Sequence, residues 1–80
     1  MKLPRNVSGR ALGKALSVLG YGLVRQVGSH LQYATNDKGY LKVTIPDHTP
    51  VKPGTLSKIL PRIASHHELT RDELLLLLFN

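Results

Sequence analysis

The 80-residue sequence contains no cysteine, and only five of its residues are acidic. The absence of cysteine excludes disulfides and metal sites built on thiolates, and it is compatible with an intracellular protein. Long apolar runs are also missing, because the longest, Leu74 to Phe79, is far too short to span a bilayer. The segment Met1 to Arg5 lacks the apolar core of a signal peptide. We therefore expect a soluble, cytoplasmic protein with no membrane partner.

Positive charge is what the chain has in excess. Eleven Lys and Arg against five Asp and Glu give a formal net charge of +6. This balance favours an anionic partner: nucleic acid first, an acidic protein second and an anionic membrane surface third. The alternative is a small domain that is basic only for solubility. Because 80 residues bury a modest core, we expect one domain over residues 1–80 with its functional site on the surface.

A first helix is predicted after Ser8, a residue type that commonly caps helix N-termini. Apolar residues recur at helical spacing behind it: Leu12, Ala15, Leu16 and Leu19. Gly20 stands where a C-terminal cap is expected.

Three runs typical of β-strands follow: Tyr21 to Val27, His30 to Thr35, and Tyr40 to Ile45. Gly28-Ser29 predicts a two-residue hairpin between the first two runs, because glycine accepts the positive φ that such turns need.

That hairpin fixes which side chains share a face. It places Val24 opposite Tyr33, so that Val24, Leu31 and Tyr33 form one apolar face. In the third run, the apolar residues are Leu41, Val43 and Ile45. They join this face only if the loop between the second and third runs has an odd number of residues, and a bulge at Gly39 could supply the additional residue. We expect the helices to pack on the apolar face.

The opposite face is predicted to be basic and polar, and we call it the polar platform. Its members are Arg25, His30, Gln32, Lys42 and Thr44. Cleaving RNA without a metal requires a base for the 2′-hydroxyl proton and positive charge for the transition state. Histidine can supply the proton transfer near neutral pH, and Arg25 and Lys42 can supply the charge. An exposed strand histidine without a function is the alternative.

Two further elements are predicted near the C-terminus. A helix begins at Pro53-Gly54-Thr55-Leu56, and Pro61 should kink or interrupt it near Leu60. Thr70 and Glu73 match a capping box for the last helix. The run Leu74 to Leu78 makes that helix apolar on all sides. Either the helix is packed between other elements of this chain, or some of the leucines contact another chain. We favour contact with a protein partner or self-association.

Other polar residues give weaker signals. Lys52 precedes a helix N-terminus, where phosphate is favoured, and Lys58 lies one turn further on; an ordinary helix start is the alternative. His48, His66 and His67 show no compact ligand pattern, so we predict no metal site and no cofactor. We expect His48 in a loop and the adjacent pair in solvent.

Taken in order, several segments resemble the HicA toxin family of bacterial and archaeal toxin–antitoxin pairs. They are Leu3-Pro4-Arg5, Ser8-Gly9, Leu16, Leu19-Gly20-Tyr21, Arg25-Gln26-Val27-Gly28-Ser29-His30, Val43-Thr44-Ile45-Pro46-Asp47-His48 and Lys52-Pro53-Gly54-Thr55-Leu56. The resemblance covers about residues 3 to 64. Two features depart from it: Pro61 within a helix that similar proteins keep continuous, and a longer link at Ser65 to Glu68.

The resemblance implies a fold like the double-stranded-RNA-binding domain, an α+β fold of order α-β-β-β-α(-α) with helices on one face of a three-stranded antiparallel sheet. It also implies a metal-independent endoribonuclease, a type II toxin that cleaves mRNA and arrests translation. By matching position, His30 is the catalytic residue, and Gly28 and Ser29 shape its turn. Arg25 supports the site, and Lys42, Lys52 and Lys58 are expected to bind RNA. A HicB-type antitoxin would cover the site, and an oligomer could form through that antitoxin.

Two other functions remain open at this point. The chain could be an RNA-binding module without catalysis, which predicts salt-sensitive binding and no cleavage products. It could also be an interaction domain whose basic surface meets an acidic protein.

Overall fold

The computed structural model describes residues 6–79, which form an α+β fold. The elements are α1 (Gly9–Ala15), a 3₁₀ turn (Leu16–Leu19), β1 (Gly22–Val27), β2 (His30–Thr35), β3 (Leu41–Pro46), α2 (Pro53–His66) and α3 (Arg71–Phe79). The predicted order α-β-β-β-α-α is confirmed. The Leu3-Pro4-Arg5 segment of the resemblance lies outside the described residues. No helix within residues 6–79 is long and apolar enough to cross a membrane.

Both predicted ends of the first helical segment are confirmed. The Ser8 hydroxyl accepts a 3.0 Å hydrogen bond from the backbone N–H of Ala11. Gly20 ends the segment in the left-handed conformation, with φ of 82°. The prediction of one regular helix is corrected, because the last turn, Leu16–Leu19, is a 3₁₀ helix.

Gly13 sets how closely α1 approaches the sheet. A Cβ at this position would overlap the aromatic ring of Tyr33 on β2. The glycine therefore has a packing role, although in sequence it only weakens the helix.

The three strands form an antiparallel sheet of order β1-β2-β3. On the apolar face, Leu31 pairs with Ile45 and Tyr33 pairs with Val43. The ladder closes at Thr35 and Leu41, which leaves the five residues 36–40 between the strands. The prediction of an odd loop is confirmed, and Gly39 adopts the positive φ of 97° that this turn uses.

The predicted position of Val24 is wrong. Leu23 pairs with Tyr33 and Arg25 with Gln32, so Val24 is the additional residue of a β-bulge. Its side chain is 58% exposed rather than part of the apolar face. Since β1 lies at the sheet edge, it can bulge without disturbing a second neighbour, and bulges are common at such edges.

All the helices contribute to one core on the apolar face of the sheet. The largest fully buried side chains are Leu12, Leu16, Leu31, Val43, Ile45, Leu56, Ile63, Leu74 and Leu75. The expectation that the helices cover one face and leave the other open is confirmed.

The interruption predicted in α2 does not occur, because the helix runs continuously from Pro53 to His66 through Pro61. A proline removes the hydrogen bond to the carbonyl four residues earlier, here that of Ser57. Both Ser57 and Pro61 are exposed, so water can reach the side of the helix where this bond is missing.

The predicted capping box of α3 is confirmed. The Thr70 N–H donates to the Glu73 carboxylate at 2.8 Å, and the Glu73 N–H donates to the Thr70 hydroxyl at 3.1 Å. In the leucine run, Leu74, Leu75 and Leu78 are buried, whereas Leu76 and Leu77 remain about half exposed.

The expectation that the adjacent histidines are solvated is wrong. His67 is buried between the Tyr21 hydroxyl and the Asp37 carboxylate, at 3.0 Å from each. The Nε2 atom of His66 lies 2.9 Å from the carbonyl oxygens of both Asp37 and Gly39. Both rings therefore join the end of α2 to the β2–β3 turn.

Candidate active site

His30 is exposed at the first position of β2, directly after the two-residue turn. Gly28 has a φ of 58°, while Ser29 is not among the residues with positive φ. Positive φ at the first loop position alone is the pattern of a type II′ turn, whose twist matches that of the flanking strands. Val27 pairs with His30 across this turn, as a two-residue hairpin requires.

The ladder places three rungs of residues on the open face of the sheet. They are Val27/His30/Pro46, Arg25/Gln32/Thr44 and Gly22/Ala34/Lys42. All five predicted members of the polar platform are among them. None of these nine residues is acidic, so the face carries positive charge without a carboxylate to neutralise it.

Arg25 is the cationic residue nearest to His30 on this face. It pairs with Gln32, one rung from His30, so the two residues are diagonal neighbours. Cβ atoms in this relation lie about 7 Å apart, which is within reach of an arginine side chain. The side chains of Arg25 and His30 can therefore reach one bound group together.

Lys42 lies further from His30 along the sheet than Arg25 does. It pairs with Ala34, four residues along β2 from His30. At about 3.3 Å per residue, the backbone of Ala34, and with it that of its partner Lys42, lies about 13 Å along the sheet from His30. Lys42 therefore lies two rungs from His30 on the same face.

Lys52 and Lys58 belong to the helical layer. Lys52 is the N-cap residue of α2, and Lys58 lies within that helix; both are exposed. Because α2 packs on the apolar face, these lysines extend from the opposite layer to the one that bears His30. The structure does not bring them onto the polar platform.

No group of three or more His, Cys, Asp or Glu side chains within residues 6–79 is arranged to hold a metal ion. His48 lies exposed in the loop that follows β3, as predicted.

A family model described as the HicA toxin of bacterial toxin–antitoxin systems matches residues 9–64. The chain belongs to the HicA toxin family. Members of this family are the toxins of toxin–antitoxin pairs. No curated protein and no solved structure matches the chain.

The match to the HicA family spans α1, the whole sheet and α2 up to residue 64, so it includes the turn and strand that carry His30. Pro61 lies within the matched residues and within a continuous α2. The proline is therefore present without interrupting the helix of this HicA toxin. Helix α3 lies beyond the matched residues.

Two residues that contact the turn of this HicA chain were not singled out from its sequence. The Gln26 side-chain amide donates to the Gly28 carbonyl at 3.0 Å, and the Asp47 N–H donates to the Ser29 carbonyl. Both contacts are to backbone atoms, which leave no periodic signal in a sequence. Gln26 does break the apolar alternation of its strand, since it pairs with buried Leu31.

Proposed function

We propose that this chain is a metal-independent endoribonuclease that cleaves mRNA in the cytoplasm and arrests translation, as the toxin of a type II toxin–antitoxin pair. One observation carries the proposal: in a HicA-family chain, the histidine of the Gly-Ser-His turn is exposed beside Arg25 on a face without acidic residues.

In this mechanism, His30 removes the proton from a ribose 2′-hydroxyl, and the oxygen attacks the adjacent phosphorus. The bond from phosphorus to the 5′-oxygen breaks, which leaves a 2′,3′-cyclic phosphate on one product and a 5′-hydroxyl on the other after proton return. Arg25 stabilises the negative charge that develops on the phosphoryl oxygens. No cofactor is needed for these steps.

The remaining cations serve the RNA backbone. Lys42 lies on the same face as His30 but two rungs away, so it binds a phosphate outside the scissile one. Lys52 and Lys58 add positive charge from the helical layer. Such contacts raise affinity without selecting a sequence, and they make binding sensitive to salt.

The partner of this toxin is a HicB-type antitoxin that covers the polar platform. The exposed platform and the net charge of +6 suit an acidic surface. Any larger assembly of the toxin forms through that antitoxin.

The deciding experiment compares wild type and His30→Ala on a defined mRNA in the presence of EDTA. Wild type should give discrete products ending in cyclic phosphate, and His30→Ala should give none while keeping the wild-type melting temperature. His48→Ala removes another exposed imidazole and should retain cleavage. Salt-sensitive binding of RNA by wild type with no products would instead establish an RNA-binding module.

A further inference from the structure

Both carbonyl groups of the turn that precedes His30 accept a hydrogen bond from outside the β1–β2 ladder. The Gln26 amide nitrogen donates to Gly28 O at 3.0 Å, and the Asp47 backbone N–H donates to Ser29 O at 2.6 Å. A two-residue turn normally exposes these carbonyls to water. Here one carbonyl is bonded to a side chain of β1 and the other to the backbone that follows β3.

Arg10 joins the two side chains involved. Its Nη2 atom lies 3.2 Å from Gln26 Oε1 and 3.1 Å from Asp47 Oδ2. A guanidinium Nη atom carries two hydrogens, so it can donate both bonds at once. Because Arg10 donates to Oε1, the Gln26 amide is oriented with its nitrogen towards the Gly28 carbonyl.

The backbone of α1 brings Arg10 to this position. The Gly9 N–H donates to the His48 carbonyl at 3.0 Å, and a Cβ on Gly9 would overlap the Pro46 carbonyl. The first turn of α1 therefore sits directly against the end of β3. From there Arg10 reaches both β1 and the residue that follows β3.

We propose that Arg10 is a positioning residue for His30, acting through Gln26 and Asp47 on the Gly28-Ser29 turn. This role rests on the proposed function of His30. Since His30 is the residue immediately after the turn, motion of the turn displaces the imidazole from the scissile phosphate. A displacement of about 1 Å at a reacting group can reduce the rate by about a hundredfold.

The test measures kcat and KM of RNA cleavage for Arg10→Ala. We expect kcat to fall by about tenfold to a hundredfold with KM nearly unchanged. Arg10→Lys keeps the charge and one donor nitrogen, so it should recover part of kcat. Lys14→Ala removes the same charge from an exposed position on the same helix and should keep wild-type kcat.

A double variant tests the route from Arg10 to the turn. If Arg10 acts through Gln26, then Arg10→Ala combined with Gln26→Ala should reduce kcat less than the product of the two single effects. Independent, multiplicative effects would contradict the proposal. A raised KM at unchanged kcat in Arg10→Ala would show that Arg10 binds RNA, and that result would also overturn it.

Amide hydrogen exchange gives a readout that does not depend on cleavage. The Asp47 N–H, which is bonded to Ser29 O, should exchange faster in Arg10→Ala, whereas the Leu31 N–H within the sheet should not change. Unchanged Asp47 exchange would refute the positioning role. If wild type fails to cleave RNA, the proposed function fails, and the exchange result still decides whether Arg10 holds the turn.

Discussion

The hydroxyl of Tyr21 lies 3.0 Å from Nε2 of His67, although 46 residues separate the two in sequence. Both side chains are buried, and their rings meet edge to face with centroids 5.5 Å apart. The other ring nitrogen of His67 contacts the Asp37 carboxylate at 3.0 Å. Both ring nitrogens of His67 therefore have a polar partner. This chain of contacts connects the start of β1, the β2–β3 turn and the end of α2.

Replacing Tyr21 by phenylalanine should destabilise the fold without affecting the active site. The variant leaves a buried imidazole nitrogen without its partner, which costs about 1–3 kcal/mol. Urea denaturation measures this loss, and RNA cleavage at saturating substrate should match wild type. A free energy of unfolding equal to that of wild type would show that the Tyr21–His67 bond contributes nothing.

The same pair predicts a loss of stability in alkali. Burial raises the pKa of Tyr21 from 10.0 to about 12, since the charged phenolate is disfavoured in the core. The pKa of Tyr21 is higher in the folded than in the unfolded protein. The stabilisation of the fold by the protonated Tyr21 hydroxyl is therefore fully present below pH 10 and is lost as the pH rises towards 12. The stability difference between wild type and Tyr21→Phe should therefore shrink over that interval. A difference that stays constant through the interval would contradict the assignment.

Two glycines in helices should respond to alanine in opposite directions. Gly13→Ala places a methyl group against the Tyr33 ring, and overpacking of this kind costs about 1–3 kcal/mol. Gly54→Ala meets no atom within 4 Å and lies in the first turn of α2, so it should stabilise the protein by about 0.4–1 kcal/mol. Thermal denaturation of the two variants checks both signs, and stabilisation by Gly13→Ala would disprove the close approach of α1 to β2.

The capping box of α3 should weaken in acid. The Thr70 backbone N–H, followed by its hydroxyl, lowers the pKa of the Glu73 carboxyl from 4.5. A lowered folded-state pKa means that the carboxylate stabilises the fold above pH 4.5 and loses this effect as the pH falls through the lower value. Glu73→Gln should thus lower the melting temperature at neutral pH and make little difference in strong acid. Glutamine can still accept the Thr70 N–H bond, so equal melting temperatures at neutral pH would show that the negative charge of Glu73 adds nothing to the cap.

Arg25 and Lys42 should affect RNA cleavage differently because they lie at different distances from His30. Arg25→Ala removes charge beside the scissile phosphate, so kcat should fall by about a hundredfold. Lys42→Ala removes a distant phosphate contact, so it should raise KM and reduce the slope of log affinity against log salt by about one. Steady-state kinetics at several salt concentrations separates the two effects. A reduction in kcat by Lys42→Ala equal to that of Arg25→Ala would contradict the register-based assignment.

The amino-acid sequence determined the features that depend on neighbouring residues. The Ser8 cap, the Gly20 end and the Thr70–Glu73 capping box are local hydrogen-bonding patterns, and all were predicted. The side of the sheet that carries Arg25 and His30 also follows from local information, because a two-residue turn and strand alternation fix it. The odd loop before β3 followed from matching apolar faces.

Tertiary structure decided what depends on residues far apart in the chain. The bulge at Val24 lies in the edge strand β1, where an additional residue is tolerated, but the alternation of side chains along the sequence gave no sign of it. His67 is buried because Tyr21 and Asp37 satisfy both of its ring nitrogens, so a polar pair that looks solvated in sequence belongs to the interior. Arg10 reaches Gln26 and Asp47, the two residues that hydrogen-bond to the turn, only because α1 lies against the end of β3. These hydrogen bonds join residues far apart in the chain at separations that follow no helix or strand period, so sequence patterns do not reveal them.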